Sequence, residues 1–171
     1  SCRRVTTWTR RPEQANAFAT EMRALGWSVE VCSSAQEACA TASIVLTVTP
    51  ARAPLVHATW LTGRPVLVLA IGADSPGKQE LATDLVVAAD LVVADSRSQC
   101  AERGEIQHAV AAGRLAPAQV LELGELLKRP PPSAPRLAIF DSTGVAVQDV
   151  KIAELALRTL EAERGAPTSR L

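Results

Sequence analysis

The chain has 171 residues, with 18 Lys plus Arg balanced by 18 Asp plus Glu. This length suits one sizeable domain rather than two generous ones, and the balanced charge removes any whole-chain electrostatic case for nucleic acid or an acidic membrane surface. Apolar residues make up 47%, aromatics 3%, and Tyr is absent, so the core is built from Ala, Val and Leu, the diet of parallel sheets covered by helices.

The predicted elements alternate from the start. Residues 5–8 form a short β-leaning run, followed by Thr9-Arg10-Arg11-Pro12 and an Ala-rich periodic segment that reaches Leu25 and stops at Gly26. This is strand, turn and helix, with Pro12 near the first helical position and Gly26 just past the end. Residues 28–32 read as the next strand, Ser33 or Ser34 as an N-cap, and 35–42 as a helix. An apolar strand at 44–49 is closed by Pro50, and two more follow at 66–71 and 91–94 with a helical stretch at 83–89 between them. Such alternation implies crossover connections and a mostly parallel sheet.

The later half is expected to hold helices at 99–112 and 120–128, and an extended Pro-rich connector at 129–136 that cannot continue a helix. A strand at 137–140, a Gly-containing turn and a long helix from about 145 to 163 complete the pattern. That helix carries Val147, Val150, Ile152, Leu155, Leu157 and Leu160 over a wide face. Residues 165–171 read as a frayed tail.

Cys2, Cys32, Cys39 and Cys100 form no C-x-x-C pair and have no His at metal-ligand spacing, which argues against zinc and for a reduced, cytoplasmic setting. No stretch has a signal-peptide layout or the roughly 18 apolar residues needed to span a bilayer.

In open parallel sheets, ligands bind beyond the carboxyl ends of the strands. That rule selects "WTRRP" (8–12), "TVTPA" (47–51), "IGADSPGK" (71–78) and "FDSTG" (140–144). In dinucleotide-binding folds an acid after the second strand grips the ribose 2′-hydroxyl, whereas Arg accommodates a 2′-phosphate through bidentate pairing. Here Thr9 stands where the acid belongs, and Arg10 and Arg11 follow. The alternative is that both are surface arginines ahead of a helix. A dinucleotide site also needs a G-x-G-x-x-G turn to receive the pyrophosphate, and this sequence has none. It begins at what reads as a second strand.

Taken together, "VTTWTRRPEQANAFA", "ATASIVLTVTPARAPLV", "WLTGRPVLVLAIGADSPGKQEL", "ADLVVADS", "LGELLK" and "IFDSTGVAVQD" resemble the ornithine cyclodeaminase and mu-crystallin family of NAD(P)-dependent enzymes. The resemblance implies an α/β fold, Rossmann-like, with a mostly parallel sheet and flanking helices that lacks its first strand and glycine-rich loop. It divides the chain into a partial NAD(P)-binding domain, 1–136, and a segment, 137–171, whose strand and site loop lead to a helix returning to an N-terminal domain upstream of Ser1. A homodimer and a small amino or imino acid substrate are implied as well. Because the first strand is central in the usual order, its absence is expected to divide the sheet and make the isolated chain unstable.

Carried over residue by residue, Asp74 matches the acid that faces the substrate amine and serves in proton transfer; the bland alternative is a cap on the turn "ADSPG". Thr9, Arg10 and Arg11 match the segment at the adenosine ribose, in the version that prefers NADP(H) to NAD(H). Thr47, Val48, Thr49, Ile71, Gly72 and Ala73 match contacts to the cofactor. Thr143 and Gly144 fall where the last site loop borders substrate and nicotinamide, with Asp141 and Ser142 holding that loop. His57 and His108 match nothing catalytic. The implied chemistry is cyclodeamination of a diamino acid or reduction of a cyclic ketimine, with hydride transfer through an imine; the alternative is a non-catalytic small-molecule binding protein of the mu-crystallin kind.

Overall fold

The structure, a computed structural model, describes residues 3–129 and 133–163; the expected tail and Pro130 to Pro132 of the Pro-rich connector lie outside them. The first unit is β1 (Arg4–Thr7), α1 (Pro12–Ala24) and β2 (Ser28–Val31), with β1 and β2 paired in parallel from Arg4↔Ser28 to Thr7↔Val31. Pro12 presets the first helical φ, and Glu13 in the first turn with Arg23 in the last suits the helix dipole. Ala15 and Ala19, four residues apart, form the buried stripe. Arg23 closes the unit by donating from Nε and Nη2 to Val29 O at 3.1 and 2.5 Å. Gly26, at φ +83°, makes the reversal between helix and strand.

Next come α2 (Ala35–Cys39), β3 (Ile44–Thr47), β4 (Arg52–Val56), β5 (Val66–Ala70), β6 (Gln79–Leu81), α3 (Thr83–Val87) and β7 (Leu91–Ala94). The cap of α2 is Ser34: its Oγ accepts from Glu37 N at 3.1 Å, and the Glu37 carboxylate accepts from Ser33 N and Oγ. The chain ends with α4 (Arg97–Arg103), α5 (Gln107–Ala111), β8 (Leu121–Glu122), α6 (Leu123–Lys128), β9 (Leu137–Asp141) and α7 (Ala146–Glu163). The main sheet is parallel throughout, in the order β3-β5-β9-β7-β8. Its last-formed strand therefore sits in the middle. The β1–β2 ribbon makes no ladder with it, so the sheet is divided as expected.

Alternation along the strands sorts the two faces. Val45, Val66, Val68, Leu137 and Ile139 point into a core shared with Leu85, Val86, Cys100, Ile106 and Ala109. Fully burying an aliphatic side chain of this kind stabilises by about 1.5–3 kcal/mol. On the other face Ile44, Leu46 and Leu67 are exposed, and α7 has no buried residue.

Three expectations need correction. The helix expected over 99–112 is two helices, broken at Gly104 to Ile106: Ile106 N donates to the buried carboxylate of Asp141 at 3.0 Å instead of continuing a helical ladder. The helix expected from 120 opens with β8, which pairs with β7 through Val93↔Leu121 and Ala94↔Glu122. Finally, β4 and β6, to which the sequence pattern assigns no strand, form a second parallel ribbon. The pairing joins partners more than twenty residues apart, beyond the reach of any local periodicity.

Gly104 shows why the break is fixed. A Cβ there would lie 2.5 Å from Asp141 Oδ2 and 2.8 Å from Cys100 Cα. We expect Gly104→Ala to destabilise the fold by about 1–3 kcal/mol through overpacking, read as a lower denaturant midpoint. An unchanged midpoint would contradict this packing.

Candidate nucleotide and substrate rim

In-register parallel pairing brings the strand ends into one row: Thr47 lies beside Ala70, Ala70 beside Asp141, and Asp141 beside Ala94. Ile71 N donates to Thr47 O at 2.9 Å and Ser142 N to Ala70 O at 3.0 Å, extending the row beyond the strands. Three predicted stretches therefore meet: 47–49, 71–74 and 141–144. Thr9, Arg10 and Arg11 stand apart at the end of the β1–β2 ribbon, and among the described residues no hydrogen bond joins them to the other three stretches. Arg10 and Arg11 are exposed, and their guanidinium groups have no ion pair among the described residues.

The rim loops are tied by carboxylates that are buried or, for Asp95, half-buried. Glu80, fully buried, accepts from Thr49 N (2.5 Å) with Oε1 and from Gly72 N (2.9 Å) with Oε2. Glu105, also buried, accepts from Glu80 N (2.6 Å) and Leu81 N (2.9 Å). Asp95 accepts from Ser142 Oγ and Gly144 N, both at 2.8 Å, and from Ser96 N at 2.7 Å. The Cys100 thiol donates to Asp95 Oδ1 at 3.3 Å, and burial pushes its pKa far up. Buried polar groups must find such partners or incur a desolvation cost. Here the partners are main-chain N–H groups that no strand or helix uses.

Asp74 is exposed and pairs with Lys78, whose Nζ lies 2.5 Å from Asp74 Oδ1 and 3.4 Å from Gly72 O. The ammonium holds the Asp74 carboxyl below the usual carboxylate range, first through this hydrogen bond and against a small desolvation effect. Helix α5 anchors the far end of the loop: Gln107 Oε1 accepts from Gly77 N (2.9 Å), while Gln107 Nε2 and His108 Nε2 donate to Lys78 O at 3.2 and 2.9 Å. His57 packs against Trp60 in a tilted arrangement, with centroids 4.8 Å apart and ring planes at 58°. Thr143 Oγ1 accepts from Gln99 Nε2 at 3.3 Å, and Gly144 has φ +80°. Val48 and Ile71 are exposed, Ala73 is buried, and Thr47 Oγ1 is buried with no hydrogen-bond partner among the described residues.

Reading by motif named Asp74 and Gly72 but missed Glu80, Glu105, Asp95 and Gln107. Glu80 lay inside a quoted motif without a role. Nothing local marks it as buried, because its partners are 31 and 8 residues away.

A parallel sheet whose loops gather at the carboxyl edge beside a paired carboxylate is a Rossmann-type arrangement. The chain belongs to the ornithine cyclodeaminase/mu-crystallin family, whose model matches residues 1–163. It is 38% identical to the alanine dehydrogenase of Archaeoglobus fulgidus over 149 residues, covering 85% of this chain and 45% of that protein. With the ketimine reductase mu-crystallin of Rattus norvegicus it shares 32% identity over 158 residues, 91% of this chain and 47% of that one. The crystal structure of the iminosuccinate reductase of Paracoccus denitrificans in complex with NAD+ superimposes with a TM-score of 0.84 at 32% identity, over 95% of this chain and 50% of that one. The chain thus spans about half the length of the relatives it matches.

Two measurements follow from the electrostatics. Burial raises Glu105 to about 8 and Asp141 to about 7. The folded state therefore holds protons that the unfolded chain releases at ordinary carboxylate pKa values, so this stabilisation is present at acid pH and lost as pH rises through about 7 to 8. The melting temperature should fall between pH 5.5 and 8.5, and a rise over that interval would contradict the assignment. Separately, Lys78→Met should return the Asp74 carboxyl upward toward its ordinary range, as followed by carboxyl-carbon NMR titration. An unmoved titration would mean that Lys78 does not control it.

Proposed function

We propose that this chain is the nucleotide-binding half of an NAD(P)-dependent enzyme acting on small amino or imino acids, by cyclodeamination of a diamino acid or reduction of a cyclic ketimine. The observation that carries the reading is the single rim that holds Thr47 to Thr49, Ile71 to Asp74 and Ser142 to Gly144 side by side. The exposed guanidinium groups of Arg10 and Arg11, without an ion pair among the described residues, fit an anionic ligand. When bound, the nicotinamide supplies or accepts hydride.

The residues of this chain orient and charge the site. Backbone groups of 47–49 and 71–73 border the cofactor, Thr143 and Gly144 border the substrate, and Asp74 meets the substrate nitrogen. A carboxylate there stabilises an ammonium or iminium by charge and holds or returns its proton. Lys78 occupies the place of such a cation on Asp74.

The Thr9, Arg10 and Arg11 corner supports NADP(H) over NAD(H), since two unpaired guanidinium groups suit a 2′-phosphate and no acid is present to grip a ribose hydroxyl. The sequence has no G-x-G-x-x-G turn for the pyrophosphate, and among the described residues the β1–β2 ribbon makes no ladder with the main sheet. A complementary half carrying that strand and turn completes the sheet and the site, within a homodimer. The free, buried thiols of Cys32, Cys39 and Cys100 support a reducing, cytoplasmic setting. Among the described residues no helix is long and apolar enough to cross a membrane.

Titration of Trp fluorescence with NADPH and NADH tests the cofactor assignment, because Trp8 adjoins Thr9. NADPH should bind more tightly, and replacing both Arg10 and Arg11 by Ala should weaken it about ten- to a hundredfold while leaving NADH nearly unchanged. Equal affinity of the unmodified protein for both nucleotides removes the phosphate assignment. Nucleotide binding without turnover of any diamino acid or cyclic imine would favour a binding protein over an enzyme.

A further inference from the structure

Glu80 occupies a place that the reading above leaves without a role. It is fully buried, it projects from the short ribbon strand β6, and its two oxygens each take one main-chain N–H, from Thr49 and from Gly72. Those amides open the two loops that follow β3 and β5. The same junction explains Gly72: a Cβ there would lie 2.5 Å from Thr49 N and closer still to Thr49 O and Glu80 Oε2. Nothing larger than hydrogen fits between the loops at that point. Glu80 is in turn fixed through its own N–H by Glu105 Oε1.

We infer that Glu80 is a positioning residue that sets the spacing of the 47–51 and 71–78 loops, and through it the affinity for the nicotinamide nucleotide. This rests on the nucleotide reading of the rim. The chemistry follows from donor and acceptor counting. A carboxylate is acceptor-only and satisfies both amides at once, whereas a carboxamide presents one oxygen and one NH2. In Glu80→Gln the NH2 faces either Thr49 N–H or Gly72 N–H, two donors meet in a buried site, and one loop must swing away. Glu80→Asp keeps both acceptors but is shorter by one methylene, so it reaches one loop at most.

The inference is tested in three ways on the whole protein. First, amide exchange in the unmodified protein should show Thr49 and Gly72 protected like the β5 amides; exchange at the rate of an unprotected amide would overturn the inference, and this readout needs neither ligand nor variant. Second, Glu80→Gln should expose those two amides while Val68 and Leu69 stay protected, and should raise the Kd for NADPH or NADH tenfold or more in protein that still melts cooperatively. Unchanged nucleotide affinity in folded Glu80→Gln protein overturns it. Third, Gly72→Ala wedges the same loops apart from the other side, so its effect on nucleotide affinity should combine with that of Glu80→Gln less than additively. Full additivity would show that the two residues act separately and would sink the proposal. Should Glu80→Gln not fold, the exchange pattern of the unmodified protein and the nucleotide affinity of Gly72→Ala decide the matter. If the unmodified protein binds neither nucleotide, the cofactor reading is what has failed, and protection at Thr49 and Gly72 still reports whether Glu80 fastens the loops.

Discussion

A parallel sheet leaves its functional loops hanging from strand ends, with main-chain N–H groups that no ladder uses. In this chain the satisfaction of those groups by buried and half-buried carboxylates is the interaction on which the rest depends. Glu80 serves Thr49 and Gly72, Glu105 serves Glu80 and Leu81, Asp141 serves Ile106, and Asp95 serves Ser96 and Gly144. Each acceptor replaces a hydrogen bond that regular secondary structure would have supplied. Burial of these carboxyl groups is tolerable because all but one of their oxygens accept a hydrogen bond. The exception, Asp141 Oδ1, has no partner among the described residues, and burial is the largest cause of that carboxyl's raised pKa.

This arrangement also gives the rim its mixture of rigidity and reach. The roots of the loops are clamped in the interior, while the groups proposed to meet ligand, Asp74 with Lys78 and the Arg10 to Arg11 corner, stay near solvent. An exposed ion pair contributes little to stability. Under the proposed reading its value lies in holding a negative charge ready for exchange of one cationic partner for another.

Most of the fold was legible in the residues themselves. Apolar runs such as Leu91 to Ala94 and Val66 to Ala70 mark buried strands by composition alone, Pro12 and Gly26 bracket α1, and the long helix from Ala146 follows from its Gly-led turn. What local reading could not reach depends on distant partners. The interruption at Gly104 needs Asp141, 37 positions on, and β4 becomes a strand because β6 lies beside it. The site divides in the same way. Asp74 and Gly72 stood out through their motif, whereas Glu80 and Glu105 read as ordinary surface acids, since charged side chains are almost never fully buried unless they are paired.

The sulfur of Cys100 carries a practical consequence. It is wholly enclosed, hydrogen-bonded to Asp95 and to Asp141 O, and held strongly in its protonated form, whereas alkylating and oxidising reagents attack the thiolate of an accessible cysteine. Labelling at this position can proceed no faster than the interior opens, so the rate of its modification is a built-in clock for the breathing of the carboxylate-laced interior.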